Sequence, residues 1–191
     1  GAGVQARTQL LALNEVFKIE EVRVCAKTVR ECEKFKKDME HLGLNILVKD
    51  SIENVVRGCD ILVITTPVTQ PTVRSEWISE GMHINAIGAD APGKEELDPE
   101  ILRRAKVVVD DYEQACHYGE LNVPFSKGIF RREQIYAELG EIIAGKKAGR
   151  TSDNEITVFD STGLAIQDLA TAILVYENSK KLGLINEVEL L

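Results

Sequence analysis

Short runs of aliphatic and β-branched residues alternate with stretches of helical periodicity along most of the chain. Val22–Ala26, Asn45–Val48, Asp60–Ile64, Met82–Ile87, Lys106–Val109 and Ile156–Phe159 read as strands. Between them, Val4–Phe17 carries an apolar stripe of Leu10, Leu11, Leu13, Val16 and Phe17 at helical spacing. Val29–His41 is a charged amphipathic helix that Gly43 can stop, and Ser51 caps a short helix ending at Arg57. Asp98-Pro99 starts another, with Asp at the cap and Pro at the first helical position. Glu133–Ala144 also reads as helical, with Gly145 as its C-terminal cap. Strands alternating with helices predict an α/β fold, a doubly wound parallel sheet with crossover helices.

Two segments carry finer expectations. Asp60–Ile64 is apolar enough for a strand buried on both faces, and Pro67 should end its ladder pairing. Thr162–Leu182 is apolar on more than one face, so it needs packing partners on both sides.

Composition narrows the partners. Apolar residues make up 44% of 191 residues, enough to bury a core without disulfides or a structural metal. Lys plus Arg is 23 and Asp plus Glu is 31, a net charge of −8 that argues against nucleic acid. The longest strongly apolar stretch, Leu169–Tyr176, is far too short to span a membrane. Cys25, Cys32, Cys59 and Cys116 form no Cys-x-x-Cys pair, as expected of buried thiols in a reducing cytosol. With no signal peptide evident before the glycine-rich turn, the expected location is cytoplasmic. His41, His83 and His117 are scattered, and no metal site is expected. Asp110-Asp111 could suggest a metal, but the pair reads better as a helix N-cap.

Gly1-Ala2-Gly3-Val4-Gln5-Ala6 fits G-x-G-x-x-A, the dinucleotide-binding turn. The first Gly permits the tight turn, the second lets backbone approach a pyrophosphate, and the small third position packs helix on strand. Val4 and Gln5 sit at the phosphates by position. The fold is then of Rossmann type. The motif should follow an apolar strand, so the sequence is read as a C-terminal portion of a longer protein. After the next strand, the position that would hold an acid for the NAD ribose is Ala26, followed by Lys27 and Thr28, with Arg30 close by. A cationic, hydroxyl-bearing turn favours the 2′-phosphate of NADP over NAD.

Three motifs occur in order: Gly1 to Arg7; Ile84-Asn85-Ala86-Ile87-Gly88-Ala89-Asp90-Ala91-Pro92-Gly93-Lys94-Glu95-Glu96-Leu97; and Phe159-Asp160-Ser161-Thr162-Gly163-Leu164-Ala165-Ile166-Gln167-Asp168. The chain resembles the ornithine cyclodeaminase/μ-crystallin family, and within it the archaeal-type alanine dehydrogenase branch. That resemblance implies a Rossmann domain inserted between two parts of a dimerisation and substrate domain. Residues 1–161 are then the NAD(P)-binding domain with its first strand upstream, and 162–191 a C-terminal segment of the second domain. It also implies a homodimer, a small amino-acid substrate, and substrate-carboxylate contacts upstream of Gly1.

Asp90 is the candidate catalytic residue. It follows a parallel strand at the sheet's carboxyl end, in a Gly- and Pro-shaped loop, where a carboxylate can take a proton from an ammonium or orient a water. The resemblance places it beside the nicotinamide and puts Lys94 at the cofactor. Gly88 and Ala89 would offer backbone to the nicotinamide side. Thr66 and Pro67 would meet the adenosine ribose or the pyrophosphate. Ser161 would reach the carboxamide, cap the last helix, or both. Tyr112, His117 and Tyr118 read as packing and surface residues.

The implied activity is oxidative deamination of an L-amino acid, most simply L-alanine to pyruvate and ammonia. The alternatives are ornithine cyclodeamination to proline, ketimine reduction, and a μ-crystallin-like NADP-binding protein with little catalysis.

Overall fold

A computed structural model describes residues 1–186. α1 (Val4–Val16) leads through β1 (Val22–Val24), α2 (Val29–Asp38), β2 (Ile46–Val48) and α3 (Ile52–Val56) to β3 (Ile61–Ile64). β4 (Thr69–Val73), β5 (His83–Ala86), β6 (Glu95–Leu97), α4 (Pro99–Arg104) and β7 (Lys106–Val109) follow. The chain continues through α5 (Tyr112–His117), α6 (Asn122–Ser126), β8 (Ile135–Glu138), α7 (Leu139–Ile143), β9 (Thr157–Asp160) and α8 (Ala165–Lys181).

The main sheet has the order β3-β5-β9-β7-β8, and every pairing in it is parallel. β1 and β2 form a separate parallel pair, as do β4 and β6. The expected α/β architecture with parallel strands is therefore present.

The helices begin where cap chemistry dictates. Thr28 and Glu31 make a reciprocal capping box at α2, and the Ser51 hydroxyl accepts from Asn54 N at α3. Asp98 caps α4 ahead of Pro99. Gly43 and Gly145 adopt the left-handed conformation that ends a helical segment, at φ 66° and 70°.

Two apolar clusters support the fold. One includes Leu62, Ile84, Leu97, Ile101, Val107, Leu121 and Phe130. The other packs Leu10 of α1 and Phe35 of α2 on Val24 and Ile46. Between β1 and β3 lies a cavity of about 740 Å³, lined by both strands and by Leu10, Leu13, Phe17 and Phe35.

Several local expectations fail. Glu133–Ala144 is not one helix: it contains a 3-10 turn (Arg132–Gln134), β8 and α7. Ile135 and Ala137 are buried while Tyr136 and Glu138 are partly exposed, so a two-residue period won through pairing with β7. Of the α1 stripe only Leu10 is buried, and Val16 is 73% exposed. β3 buries Leu62 and Ile64 but only half-buries Ile61 and Val63, so it is not covered on both faces. Pro67 ends β3, yet pairing resumes within five residues as β4. By contrast, α8 is short of packing partners among the described residues, as its all-round apolarity implies: Ile166, Leu169, Ile173, Leu174, Val175 and Tyr176 are all more than half exposed.

Candidate functional site

The carboxyl ends of β1, β3, β5 and β9 carry the candidate residues. The Gly1 nitrogen donates to the Cys25 carbonyl at 2.8 Å, which seats the glycine turn at the end of β1 beside Ala26, Lys27 and Thr28. Ile87 N donates to Ile64 O at 3.0 Å, and Ser161 N to Ala86 O at 3.0 Å. These bonds align the segments leaving β3, β5 and β9. The Gly88 Cα lies directly on Thr66: a Cβ there would stand 2.5 Å from the Thr66 nitrogen and oxygen.

The glycine turn fits a dinucleotide pyrophosphate. At Gly1 a Cβ would collide with Thr65 Oγ1 and lie 3.2 Å from Thr66 Cγ2, so this glycine is required by packing on the segment after β3. At Gly3 a Cβ would meet nothing within 4 Å, and φ is −82°. Neither packing nor conformation demands glycine there, and the open space leaves room for a ligand to approach the backbone. Gly3 is the N-cap of α1, no side chain caps the helix, and its first turn holds no acid. The first amides of α1 and the helix dipole are thus free for an anion, beside exposed Val4 and Gln5. Buried Thr65 Oγ1 also has no hydrogen-bond partner among the described residues.

Arg7 braces this turn from behind. Its guanidinium donates to the carbonyls of Ala2 (2.5 Å) and Gly3 (2.8 Å) and pairs with Asp38. Lys34 and Arg7 together hold the Asp38 carboxyl below its ordinary range.

Asp90 is exposed on the loop after β5 and forms an ion pair with Lys94, four residues on. Ala89, between Gly88 and Asp90, is buried and anchors the loop. Pro67 is exposed and Ser161 half-buried.

Behind the loop lie acids that the sequence reading did not single out. Glu96, Glu120 and Asp160 are fully buried. Glu96 Oε1 accepts from Thr66 N at 2.7 Å and Thr66 Oγ1 at 2.5 Å. Asp160 accepts from the backbone of Glu120 (3.0 Å) and Leu121 (3.1 Å). Burial raises the carboxyl of Glu96 above its ordinary range, and that of Glu120 well above it.

Burial pushes Asp160 up to about 7, against two backbone donors and with Asp110 adding to the rise. Glu120 and Cys116 also face this carboxyl. A raised folded value means that the fold favours the protonated acid. Its contribution to stability is full below about pH 4 and is lost as pH rises through about 7. Carboxyl-carbon NMR of Asp160 is expected to show a titration midpoint near 7; a midpoint near 4 would contradict this environment.

Asp111 caps α5 through Gln114 N at 2.8 Å, as expected. Asp110 does something else. It accepts from Thr162 N (2.7 Å), Gly163 N (2.8 Å) and the Thr162 hydroxyl, fixing the chain between β9 and α8. Ser161 donates to Asp110 at 3.4 Å and does not cap α8, whose N-cap is Leu164. Among the described residues no three His, Cys, Asp or Glu side chains are grouped to hold a metal. No described helix is long and apolar enough to cross a membrane.

Residues 1–182 match the ornithine cyclodeaminase/mu-crystallin family. The chain belongs to this family. Within the family, the alanine dehydrogenase of Archaeoglobus fulgidus is 54% identical over 185 residues, covering 96% of this chain and 57% of that protein. An archaeal alanine dehydrogenase dimer with bound NAD has a TM-score of 0.95 at 51% identity, over 100% of this chain and 59% of that one. The Thermococcus litoralis Δ1-pyrroline-2-carboxylate reductase, in complex with NADH and L-proline, has a TM-score of 0.94 at 40% identity. That likeness covers 98% of this chain and 59% of the reductase. The chain thus spans between 57% and 59% of these relatives' lengths. Family membership and the glycine turn together support a nicotinamide dinucleotide as cofactor.

Proposed function

We propose that this chain is the nicotinamide-binding part of an enzyme that oxidatively deaminates an L-amino acid, most simply L-alanine. L-Alanine, water and oxidised cofactor give pyruvate, ammonium, reduced cofactor and a proton. The observation that carries this reading is the Asp90–Lys94 pair on an open loop at the sheet's carboxyl edge, in a chain 54% identical to an alanine dehydrogenase.

The nicotinamide, when bound, accepts hydride from the substrate α-carbon. Asp90 takes a proton from the substrate ammonium and then orients the water that adds to the resulting imine carbon. Lys94 keeps a cation beside that carboxylate and stands at the cofactor. Gly88 and Ala89 offer backbone to the nicotinamide side, and Ser161 offers its hydroxyl to the carboxamide. Thr66 and Pro67 flank the adenosine ribose or pyrophosphate, while Gly1, Gly3, Val4 and Gln5 take the phosphates.

The finer cofactor preference is for NADP over NAD. It rests on Lys27 and Arg30, both exposed after β1. Thr28 contributes less than its sequence suggests, because its hydroxyl already donates to Glu31 at 3.0 Å. Ala26 leaves the ribose side without the acid that NAD sites place there.

Two features support a longer protein with a second domain. The cavity between β1 and β3 is lined by strand edges and apolar side chains, as a slot for one more strand would be. The exposed apolar residues of α8 suit packing against the rest of a substrate and dimerisation domain, and the archaeal relative with NAD is a dimer. Residues 162–191 belong to that domain in this reading. A second chemistry, reduction of a cyclic imine, draws support from the Thermococcus likeness.

The deciding assay uses full-length protein with L-alanine and either NAD⁺ or NADP⁺. Reduced nicotinamide is expected to accumulate, faster with NADP⁺. Equal rates would refute the cofactor preference. Binding without accumulation would move the assignment to redox-neutral ornithine cyclodeamination or to a binding protein.

A further inference from the structure

The loop that carries Asp90 and Lys94 is held by side chains from a different part of the chain. Asn122, at the start of α6, grips it at two successive residues. Gly93 N donates to Asn122 Oδ1 at 2.8 Å, and Asn122 Nδ2 donates to Lys94 O at 2.7 Å. The same Nδ2 bonds Gly119 O at 2.6 Å, closing the turn on which Asn122 sits. Two residues before it, Glu120 Oε1 accepts from Glu96 N (2.8 Å) and Leu97 N (2.6 Å). Glu96 then reaches back to Thr66 after β3. The turn itself hangs from Asp160 at the end of β9, and Gly119 has no space for a Cβ beside that carboxylate. The chain of bonds runs from β9, through residues 119–122 and 93–97, to the end of β3, and passes under the Asp90 loop.

We propose that Asn122 and Glu120 are positioning residues for the Asp90–Lys94 pair: through the backbone of residues 93–97 they set where that pair stands against the bound nicotinamide. This rests on the functional reading above.

The geometry favours positioning over simple packing. Asn122 is 6% exposed, and both faces of its amide are used on the loop and its own turn. An aspartate in its place could still accept from Gly93 but could not donate to Lys94 or Gly119. Glu120 is fully buried, and its Oε1 serves two amides of β6, directly after Lys94 and Glu95. Burial, with Asp160 and Glu96 adding, raises the Glu120 carboxyl well above its ordinary range. Toward this segment its Oε1 acts only as an acceptor, which the amide oxygen of a glutamine also supplies.

The test uses the full-length protein and three variants: Asn122→Asp, Glu120→Leu and Glu120→Gln. The aspartate and leucine variants are expected to lose about 10–100-fold in kcat, as a misplacement of about 1 Å does, while cofactor affinity by fluorescence titration changes less than about threefold. Glu120→Gln is expected to restore kcat to within about threefold of wild type, because the acceptor is kept. Hydrogen exchange of the amides of residues 88–96, with cofactor bound, is expected to quicken in Asn122→Asp and Glu120→Leu but not in Glu120→Gln. That readout needs no turnover. If wild type fails to oxidise L-alanine, the functional reading fails while exchange still decides this proposal. Unchanged exchange in folded Asn122→Asp, or kcat equal to wild type in both disruptive variants, would overturn it. Should Glu120→Leu not fold, Asn122→Asp alone carries the decision.

Discussion

In the full-length protein, Asp90→Asn is expected to lower kcat for amino-acid oxidation by about 10²–10⁴-fold, the usual contribution of a positioned acid–base group. Cofactor affinity should stay within a few-fold, because Asn keeps the size and loop position of the side chain. Stability should barely move. Asp90 is 62% exposed, and an exposed i,i+4 ion pair with Lys94 contributes well under about 1 kcal/mol. A large kinetic loss with an unchanged melting temperature therefore separates chemistry from folding. Unchanged turnover in this variant would sink the assignment of Asp90. It would favour a protein that holds its dinucleotide as a ligand, since such a binder needs no carboxylate on this loop. Steady-state kinetics with a parallel cofactor titration makes the distinction.

Gly88→Ala is expected to produce the largest structural effect of any single methyl group in the site. The added Cβ would stand 2.5 Å from both Thr66 N and Thr66 O and would overlap Glu96 Oε2. Backbone cannot swing away as a long side chain can, and Thr66 N is also held by Glu96 at 2.7 Å. Relief requires separating the loop after β5 from the end of β3, at a cost of about 3 kcal/mol or more. Denaturant unfolding should show a lower midpoint, and cofactor binding should weaken with it. The contrasting substitution is Gly3→Ala, whose Cβ meets nothing within 4 Å. It should leave the midpoint unchanged and weaken only the dinucleotide. If both variants lost stability equally, the phosphate-cradle role of Gly3 would be wrong.

The two glycines look alike along the chain, and only the fold separates them. Much else was legible beforehand. Lys106–Val109 appears as a strand with the bounds its residues suggest, because it ends in three consecutive valines. Ser51, Asp98 and Asp111 act as caps, since a cap depends on a hydroxyl or carboxylate within three residues of the amide it serves. The glycine turn and the Asp90 loop were also readable, one by spacing and the other by its resemblance to the family.

The misreadings share one cause. Glu133–Ala144 satisfies a helical period, but Ile135–Glu138 lies against β7, and pairing there outweighs local propensity. Ser161 looked like a cap for the last helix; Asp110, fifty-one residues away, holds that segment instead, and α8 starts later. Arg7, Glu120 and Asn122 showed no functional signal because their partners are backbone groups of distant segments. A hydrogen bond to a carbonyl leaves no mark on the identity of the residue that owns it.

By itself the sequence determined the α/β class, the parallel strands, the dinucleotide turn and the acid on the loop after β5. The first three follow from short-range chemistry, namely periodicity, caps and glycine spacing, whereas the acid was singled out through the resemblance to the family. Only the tertiary structure decided which glycine packs against Thr66 and which has open space where a Cβ would stand, and which carboxyls are buried. It also decided that residues 119–122 hold the Asp90 loop in place. Those outcomes depend on desolvation and on contacts between segments remote in sequence, which exist only once the strands are side by side.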